Sequence, residues 1–297
     1  MKVIVQFSGG KDSEASLIWA VNKYGVEKVE AVFCDTVWEN QLTYQHIMDV
    51  IKKLGVKYVM LTTKKFDGFL GMVAKKKRFP STKARFCTEE LKTKPMIDYV
   101  LQHSEHLILI QGVRADESKD RAKMKAQCTY FKYYYQPYGK DKKGKLKFHT
   151  YRKKDVFKWR EQYADDIIRP VFTWTGQQVI DYIIENGHKP NPLYSMGMNR
   201  VGCFPCVMCK LSEIKQIADR FPEHIKKVAD AEKKYNTSFF THGKIPDRYC
   251  SKEKNGVRYP TIEDVVNYVQ RFKDQIDAFK EETTGNTSCM SFYGTCE

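Results

Sequence analysis

The chain has 297 residues, 42% of them hydrophobic, and 51 basic against 36 acidic side chains give a formal net charge of +15. This length accommodates one large α/β domain with an appendage, or two domains. The charge indicates an anionic partner, either nucleotide phosphates alone or a nucleic acid, unless the basic surface serves only solubility. No apolar run approaches the roughly 18 residues that a membrane span needs, nor is there a signal-peptide core. We therefore expect a cytoplasmic protein without a membrane partner.

The first predicted element is a short apolar strand that runs into a glycine-containing loop. This loop consists of Ser8, Gly9, Gly10, Lys11, Asp12 and Ser13. Apolar residues at helical spacing follow and predict a helix that ends at Gly25. Glycines let the backbone approach an anion, and the first amides of a helix point towards it. Lys11 adds a cation, while Ser8 and Ser13 add hydroxyl donors. The stretch therefore predicts a phosphate site.

Asp12 is the unusual member of this loop, because a carboxylate beside a phosphate needs a counter-charge. Hydrated Mg²⁺ bridging to the phosphate would supply one. The loop is not a Walker A motif, since the four-residue spacer before Gly-Lys-Ser/Thr is missing. It resembles the pyrophosphate loop (PP-loop) of ATP pyrophosphatases and their relatives, which makes Lys11 and Asp12 the predicted catalytic residues. The alternative is an ordinary tight turn at the Gly-Gly pair.

Predicted strands and helices alternate through the rest of the first half. The strands are expected at 29–34, 58–62, 106–113 and 167–171, and the helices at 41–54, 66–76, 88–102 (with a kink or break at Pro95) and 175–186. Alternation of this kind implies an α/β fold, with a mostly parallel, doubly wound, Rossmann-like sheet. Ligands bind at the carboxyl ends of such strands. The loop at 8–13, Asp35 and Arg114 all follow strands, so we expect them at one edge of the sheet.

Residues 123–158 interrupt this alternation with an insertion rich in aromatic and basic side chains. They include Tyr130, Phe131, Tyr133, Tyr134, Tyr135 and Tyr138, and then Lys140, Lys142, Lys143, Lys145 and Lys147. Interleaved aromatics and lysines suit a surface that stacks the bases and follows the phosphates of DNA or RNA. The alternative is a solvated β-hairpin with Gly139 or Gly144 in its turn.

Further stretches resemble the phosphoadenosine phosphosulfate (PAPS) reductase family. They are Arg85-Phe86-Cys87-Thr88-Glu89-Glu90-Leu91-Lys92 with Pro95, Gly112-Val113-Arg114-Ala115-Asp116-Glu117-Ser118 with Arg121, the stretch RPVFTWT at 169–175, Asn191-Pro192-Leu193-Tyr194 and Gly202-Cys203-Phe204-Pro205-Cys206. The resemblance covers roughly residues 1–210. It implies an adenine-nucleotide site that includes Asp35 and Ser118, and in which the guanidinium forks of Arg114 and Arg121 grip the anionic part.

Two features depart from the assimilatory reductases of that family. Those enzymes carry a degenerate PP-loop, whereas this loop is complete, and they end in Glu-Cys-Gly, whereas this chain ends in SCMSFYGTCE. Both departures favour an ATP-cleaving relative similar to the sulfur-transfer proteins of DNA phosphorothioate modification. Such an enzyme would release pyrophosphate, adenylylate an acceptor and take sulfur from a donor protein. Two alternatives stay open. One is a reductase that releases sulfite with Cys289 or Cys296 as nucleophile, and the other is a nucleic-acid-binding subunit switched by the nucleotide.

Nine cysteines in a reducing compartment indicate metal or redox chemistry rather than disulfides. Cys203, Cys206 and Cys209 place three thiols within one short stretch, as in iron–sulfur or zinc sites. The resemblance implies a [4Fe–4S] cluster held by Cys87, Cys203 and Cys206, with Cys209 as the ligand that would complete the set. Zinc or buried inert thiols are the alternatives. The expected organisation is a PP-loop domain at 1–199 and a mainly helical, cysteine-bearing region at 200–297, with helices at 211–235 and 261–282.

Overall fold

The computed structural model describes residues 1–141 and 143–272. Its strands are β1 (Lys2–Gln6), β2 (Val29–Cys34), β3 (Lys57–Leu61), β4 (Leu107–Gln111), β5 (Gln127–Thr129), β6 (Gly139–Lys140), β7 (Leu146–Lys147), β8 (Asp165–Ile168), β9 (Lys252–Lys254) and β10 (Val257–Tyr259). Six of them form the main sheet in the order β3-β2-β1-β4-β8-β5. Neighbouring strands from β3 to β8 in this order are parallel, and β5 pairs antiparallel with β8 at the edge. The mostly parallel α/β sheet is thus confirmed.

The helices follow the predicted alternation closely. They are α1 (Lys11–Tyr24), α2 (Gln41–Leu54), α3 (Gly68–Lys76), α4 (Phe86–Thr88), α5 (Lys94–Val100), α6 (Lys119–Ala122), α7 (Lys132–Tyr135), α8 (Lys153–Arg160), α9 (Gly176–Glu185), α10 (Leu211–Arg220), α11 (Pro222–Tyr235) and α12 (Ile262–Arg271). The bounds of α2 agree with the sequence pattern because both ends carry signals. The Asn40 side chain accepts from the Leu42 amide, and Gly55 ends the helix with φ of 67°.

Alternate residues of the central strand pack on opposite faces of the sheet. Val3 and Val5 belong to a buried cluster with residues of α1 and α2. Ile4 belongs to a second cluster with residues of α5, α8 and the insertion. Because successive side chains of a strand point to opposite faces, this division shows helices on both faces. The doubly wound arrangement is therefore confirmed.

The predicted break at Pro95 takes the form of a widened helical turn. The chain is helical from Phe86, passes through a π-helical turn at Glu89–Thr93 and continues as α5. Proline has no N–H and cannot make the regular bond to the carbonyl four residues earlier, here that of Leu91. The π turn accommodates this missing bond without ending the helix.

The insertion is more deeply integrated than its sequence suggests. Tyr130 and Phe131 are completely buried and Tyr134 is 2% exposed, all within the core on one face of the sheet. These three rings are part of the hydrophobic core and cannot stack on bases. The strands β6 and β7 pair as an antiparallel hairpin, with Gly144 at φ of 79° in its turn, as the hairpin alternative predicted. Tyr135, Tyr138 and the described lysines of the hairpin remain partly or fully exposed.

The helices α10, α11 and α12 form a C-terminal layer that packs on the first half of the chain. One cluster joins Ile214, Val228 and Val265 with Trp38 and Leu91. The helix predicted at 211–235 is divided at Phe221, because Pro222 starts a new helix at its first position. The helix predicted from 261 begins at Ile262 after the N-cap Thr261, and beyond 272 the prediction lies outside the described residues. No helix in the described ranges is long and apolar enough to cross a membrane.

Candidate functional site

A cavity of about 300 Å³ opens at the carboxyl ends of β1 and β4, and we call it the loop cavity. It is lined by Ser8, Gly10, Lys11, Asp12, Ser13, Lys92, Gly112, Arg114, Glu117, Tyr194, Asn199, Arg200, Val201, Gly202, Cys203, Cys206, Lys210 and Glu213. The structure therefore brings five of the six predicted loop residues together with Arg114 and two of the predicted metal ligands.

Hydrogen bonds within the loop at 8–13 hold its shape. Ser13 Oγ accepts from the Ser8 amide at 3.2 Å and donates to the Gly10 carbonyl at 2.8 Å. Gly9 adopts φ of 74°, and a Cβ there would lie 3.0 Å from side-chain carbons of Ile47 and Thr43. Both observations require glycine at this position. Gly9 does not line the cavity itself but supports the turn that forms it.

Gly112 brings the end of β4 into direct contact with the first turn of α1. A Cβ at Gly112 would lie 2.4 Å from the Ser13 amide nitrogen and 2.5 Å from the Asp12 carbonyl carbon and oxygen. These neighbours are backbone atoms, so they cannot give way as a flexible side chain would. Gly112 thereby fixes the distance between β4, which leads into Arg114, and the helix that carries Lys11 and Asp12.

Arg114 supplies the counter-charge that the sequence analysis expected from a metal ion. Its Nε donates to Asp12 Oδ1 at 2.6 Å, and its Nη1 donates to Asp116. Lys11 Nζ lies 3.7 Å from Asp12 Oδ2. Arg114 is 6% exposed, so this pair is well shielded from water. The Asp12 carboxylate is therefore compensated by two cations of the chain itself.

Tyr194 covers the N-terminus of α1. Its hydroxyl accepts from the Lys11 amide at 3.1 Å, and Lys11 Nζ lies 5.1 Å from the centre of its ring. Burial and the neighbouring Asp12 carboxylate raise the pKa of Tyr194 above its ordinary value. The phenol consequently stays neutral and satisfies an amide that would otherwise face the cavity.

Three basic lining residues were not predicted as site residues: Lys92, Arg200 and Lys210. With Lys11 and Arg114 they make five cations against the three acids Asp12, Glu117 and Glu213. The Glu213 carboxylate has a structural role, because it accepts hydrogen bonds from the backbone amides of Asn199, Arg200 and Lys210. The cavity thus has an excess of positive charge. Lys92 and Tyr194 lie in stretches that carry the family resemblance, whereas no local pattern marks Arg200 or Lys210.

The other predicted nucleotide residues lie close to the loop cavity without lining it. Asp35 follows β2 and accepts from the Val37 amide at 2.8 Å and the Tyr44 hydroxyl at 2.6 Å. Ser118 caps α6 by accepting from the Arg121 amide at 3.2 Å. Arg121 is 1% exposed and its Nη1 donates to Glu117, which does line the cavity. Their direct contact with a nucleotide remains a prediction.

The segment with the cysteines is attached to the loop that follows β2. The Phe204 amide donates to the Trp38 carbonyl at 2.7 Å, and Trp38 Nε1 donates to the Pro205 carbonyl at 2.9 Å. Cys203 Sγ consequently lies 3.8 Å from Thr36 Oγ1 and 4.0 Å from a carboxylate oxygen of Glu39. Burial raises the pKa of Glu39 above its ordinary value. This docking turns Cys203 and Cys206 towards the loop cavity.

The four predicted cluster ligands are not assembled around one point. Cys209 is 2% exposed and outside the cavity lining, and burial raises the pKa of its thiol to about 12. Cys87 packs against the group of buried hydrophobic side chains that contains Cys209. Across residues 1–141 and 143–272, no group of three or more Cys, His, Asp or Glu side chains converges to hold a metal ion. The thiols have the right chemistry for a cluster but not the geometry, so we derive no reaction step from one. Cys289 and Cys296 lie outside the described residues.

Comparison with known protein families places this architecture in a defined class. Residues 2–209 match the model of the phosphoadenosine phosphosulfate reductase domain. The match covers the main sheet, all three clustered cysteines and the lining of the loop cavity except Lys210 and Glu213. The chain therefore belongs to the PAPS reductase family, and the resemblance of the individual motifs is confirmed.

Similarity to individual proteins extends over nearly the whole chain. A 37.8 kDa protein of Escherichia phage 186 is 30% identical over 361 aligned positions, which cover 99% of this chain and 96% of the relative. The Methanocaldococcus jannaschii protein MJ0066 is 27% identical over 78% of this chain, which spans only 42% of that relative's length. Among solved structures, the PAPS reductase of Candida auris in its phosphate complex aligns with 69% of this chain and 83% of its own, at a TM-score of 0.45 and 14% identity.

Proposed function

We propose that the loop cavity binds ATP and cleaves it between the α- and β-phosphates, so that an acceptor becomes adenylylated for later attack by sulfur. The observation that carries this proposal is the complete loop at 8–13, which opens into a cavity with an excess of basic side chains. In the reaction, an oxygen of the acceptor attacks the α-phosphorus. The bond from that phosphorus to the bridging oxygen breaks, and pyrophosphate leaves with the bonding electrons.

The dimensions and charges of the loop cavity support a nucleotide ligand. Its volume of about 300 Å³ lies at the lower end of the range typical of small-molecule sites. The N-terminus of the 14-residue helix α1 faces the loop and favours negative charge there. Lys11 at its first turn would hold the leaving pyrophosphate, whose charge grows as the bond breaks. Lys92, Arg200 and Lys210 would compensate the remaining phosphate charge.

Arg114 and Asp12 would act together as a positioning pair. Their ion pair at 2.6 Å fixes the guanidinium at the mouth of the loop, where it would grip a phosphate in ground state and transition state alike. Asp12 would keep a carboxylate oxygen near the phosphates and near the Mg²⁺ that accompanies ATP. Carboxylate and phosphate oxygens are the preferred ligands of this metal. Tyr194 would have to release the Lys11 amide if that amide binds phosphate.

A second candidate function is reduction of a sulfonucleotide with release of sulfite. Membership in the PAPS reductase family favours it, as do the two thiols of Cys203 and Cys206 in the same cavity. In that reaction a thiolate attacks the sulfur, the nucleotide leaves as its phosphate, and a dithiol supplies the two electrons that release sulfite from the enzyme.

The test is a pair of assays on the same anaerobic preparation. Pyrophosphate is measured after incubation with ATP and Mg²⁺, and sulfite is measured after incubation with PAPS and a dithiol. We expect pyrophosphate without sulfite. Sulfite without pyrophosphate, abolished by Cys289→Ser or Cys296→Ser, would establish the reductase instead.

A further inference from the structure

A second, larger cavity of about 520 Å³ lies on the other side of the helical segment formed by α4, the π turn and α5. We call it the basic cavity. It is lined by Arg78, Lys83, Ala84, Arg85, Phe86, Thr88, Glu89, Thr93, Lys94, Ile97, Tyr138, Lys147, Phe148, His149, Thr150 and Tyr151. Lys92 lines the loop cavity, whereas the next residues, Thr93 and Lys94, line this one. The two cavities are therefore separate sites on either side of one segment.

The charge of the basic cavity is strongly positive. Five cations line it (Arg78, Lys83, Arg85, Lys94 and Lys147), against one acid, Glu89. Glu89 pairs with Lys94 at 3.0 Å, so these two charges largely compensate each other. The lining therefore carries more positive than negative charge, and this excess indicates an anionic ligand.

Aromatic rings make up much of the remaining wall. Tyr138 and His149 stack on each other with ring centres 4.9 Å apart and planes inclined by 25°. Burial lowers the pKa of His149 to about 4, so this ring is neutral at physiological pH. The Arg78 guanidinium lies over the Phe86 ring, 5.2 Å from the centre of that ring. Flat neutral rings beside cations are the combination that holds an unstacked base and its phosphate.

Positive charge continues beyond the cavity in two directions. Lys75, Lys76 and Lys77 precede Arg78 and are exposed. On the opposite side, the hairpin that contributes Lys147 to the lining also has Lys140, Lys143 and Lys145 exposed beyond the cavity. A free mononucleotide would occupy the cavity but would not reach these two basic tracks. A strand of several linked nucleotides would use the cavity and both tracks.

We propose that the basic cavity receives one unpaired nucleotide of a single-stranded nucleic acid, whose flanking phosphates lie along the two lysine tracks. The rings and cations that line the cavity suit one base and one phosphate. This site differs from the surface that the sequence predicted, because the completely buried Tyr130 and Phe131 take no part in it. It also goes beyond the proposed ATP reaction and does not depend on it.

The experiment measures binding of fluorescently labelled 12-residue oligonucleotides by anisotropy, without ATP. The ligands are single-stranded RNA, single-stranded DNA of the same sequence, the DNA duplex, and AMP as competitor. We expect single strands to bind at least 10-fold more tightly than the duplex, with affinity falling linearly in log–log salt plots. Comparison of the RNA and DNA strands then identifies which sugar the site accepts.

Variants locate the binding in the cavity. Arg78→Ala with Lys83→Ala should reduce the salt slope by about 1.4, since each contact with a single strand contributes about 0.7. Tyr138→Ala should weaken binding about 5-fold or more by removing a stacking surface, while Tyr138→Phe should restore it. The control removes the same charge elsewhere with Lys189→Ala and Lys226→Ala, two exposed lysines outside both cavities. It should lower affinity less and without preference for single strands.

Each other outcome overturns the proposal. Equal effects of the cavity and control variants would show that the binding is general electrostatic attraction. Preference for the duplex, or competition by AMP as strong as that by the oligonucleotide, would assign the site to a different ligand. Absence of binding to every nucleic acid would remove nucleic acid as its partner, and none of these results would bear on ATP cleavage in the loop cavity.

Discussion

The two cavities of this protein differ in how they are built, although one helical segment separates them. The loop cavity is formed by residues at the carboxyl ends of parallel strands, and its central part, the loop at 8–13, is one contiguous stretch. The basic cavity is formed by a loop after α3, the π turn and a hairpin some 50 residues further along the chain. The first can be recognised from local sequence, while the second exists only after the chain has folded.

The predictability of the fold follows the same distinction. Asn40, Gly55, Thr175 and Thr261 are local signals that fixed helix ends, and β-branched runs located the strands. The sequence pattern did not separate the buried rings Tyr130 and Phe131 from the exposed Tyr135, because aromatic residues are typical both of cores and of stacking surfaces. Lys92, Arg200 and Lys210 reach the loop cavity through tertiary packing, which no spacing indicates.

The substitution with the largest expected effect should destroy the loop cavity and leave the basic cavity intact. Gly112→Ala places a Cβ 2.4–2.5 Å from the backbone of Asp12 and Ser13, so β4 and α1 must move apart. We expect loss of detectable ATP binding and a destabilisation of roughly 1–3 kcal/mol or more. Calorimetric titration and thermal unfolding measure the two effects. Gly202→Ala is the matched control, because it lines the same cavity with no atom within 4 Å of its Cβ. An equal loss in both variants would contradict this account of Gly112.

The second effect concerns the four predicted cluster ligands, of which Cys203 and Cys206 line the loop cavity. If Cys87, Cys203, Cys206 and Cys209 hold a [4Fe–4S] cluster, anaerobically purified protein should be brown and contain about four irons per chain. Cys206→Ser should remove the colour and most of the iron, whereas Cys34→Ser should retain both, since the Cys34 thiol donates to the Lys92 carbonyl at 3.6 Å and does not line the loop cavity. Iron analysis and absorption spectra measure this. Colourless protein with one zinc per chain would replace the cluster by a zinc site.

A smaller effect is expected at the positioning pair. Arg114→Ala removes the partner at 2.6 Å from Asp12 and a cation at the mouth of the loop. Because Arg114 would grip ground and transition states alike, KM for ATP should rise about 10-fold while kcat changes little. Steady-state kinetics of pyrophosphate release separate the two constants. A fall in kcat with KM unchanged would instead place Arg114 among the groups that act only in the transition state.

The smallest effect at neutral pH belongs to the basic cavity. Burial lowers the pKa of His149 from 6.5 to about 4, against a weaker opposing effect of Glu89. As the pH falls, His149 is protonated in the unfolded chain at a higher pH than in the folded protein. The free energy of unfolding is therefore fully retained above pH 6.5 and decreases as the pH falls towards 4. The loss amounts to at most about 3 kcal/mol. Denaturant unfolding of the wild type and of His149→Phe, which keeps an aromatic ring beside Tyr138, should diverge only below pH 6.5. Parallel curves down to pH 4 would show that His149 titrates normally.

The most direct test of the central claim identifies which bond of ATP is broken. Phosphorus-31 NMR of ATP incubated with Mg²⁺ and the protein should show AMP or an adenylylated acceptor together with pyrophosphate. Lys11→Ala should reduce this by about 10²-fold or more, because Lys11 would stabilise the charge on the leaving group, whereas the exposed Lys23→Ala at the far end of α1 should leave it unchanged. Formation of ADP and phosphate, or pyrophosphate release that is equal in the wild type and Lys11→Ala, would contradict cleavage at the loop cavity.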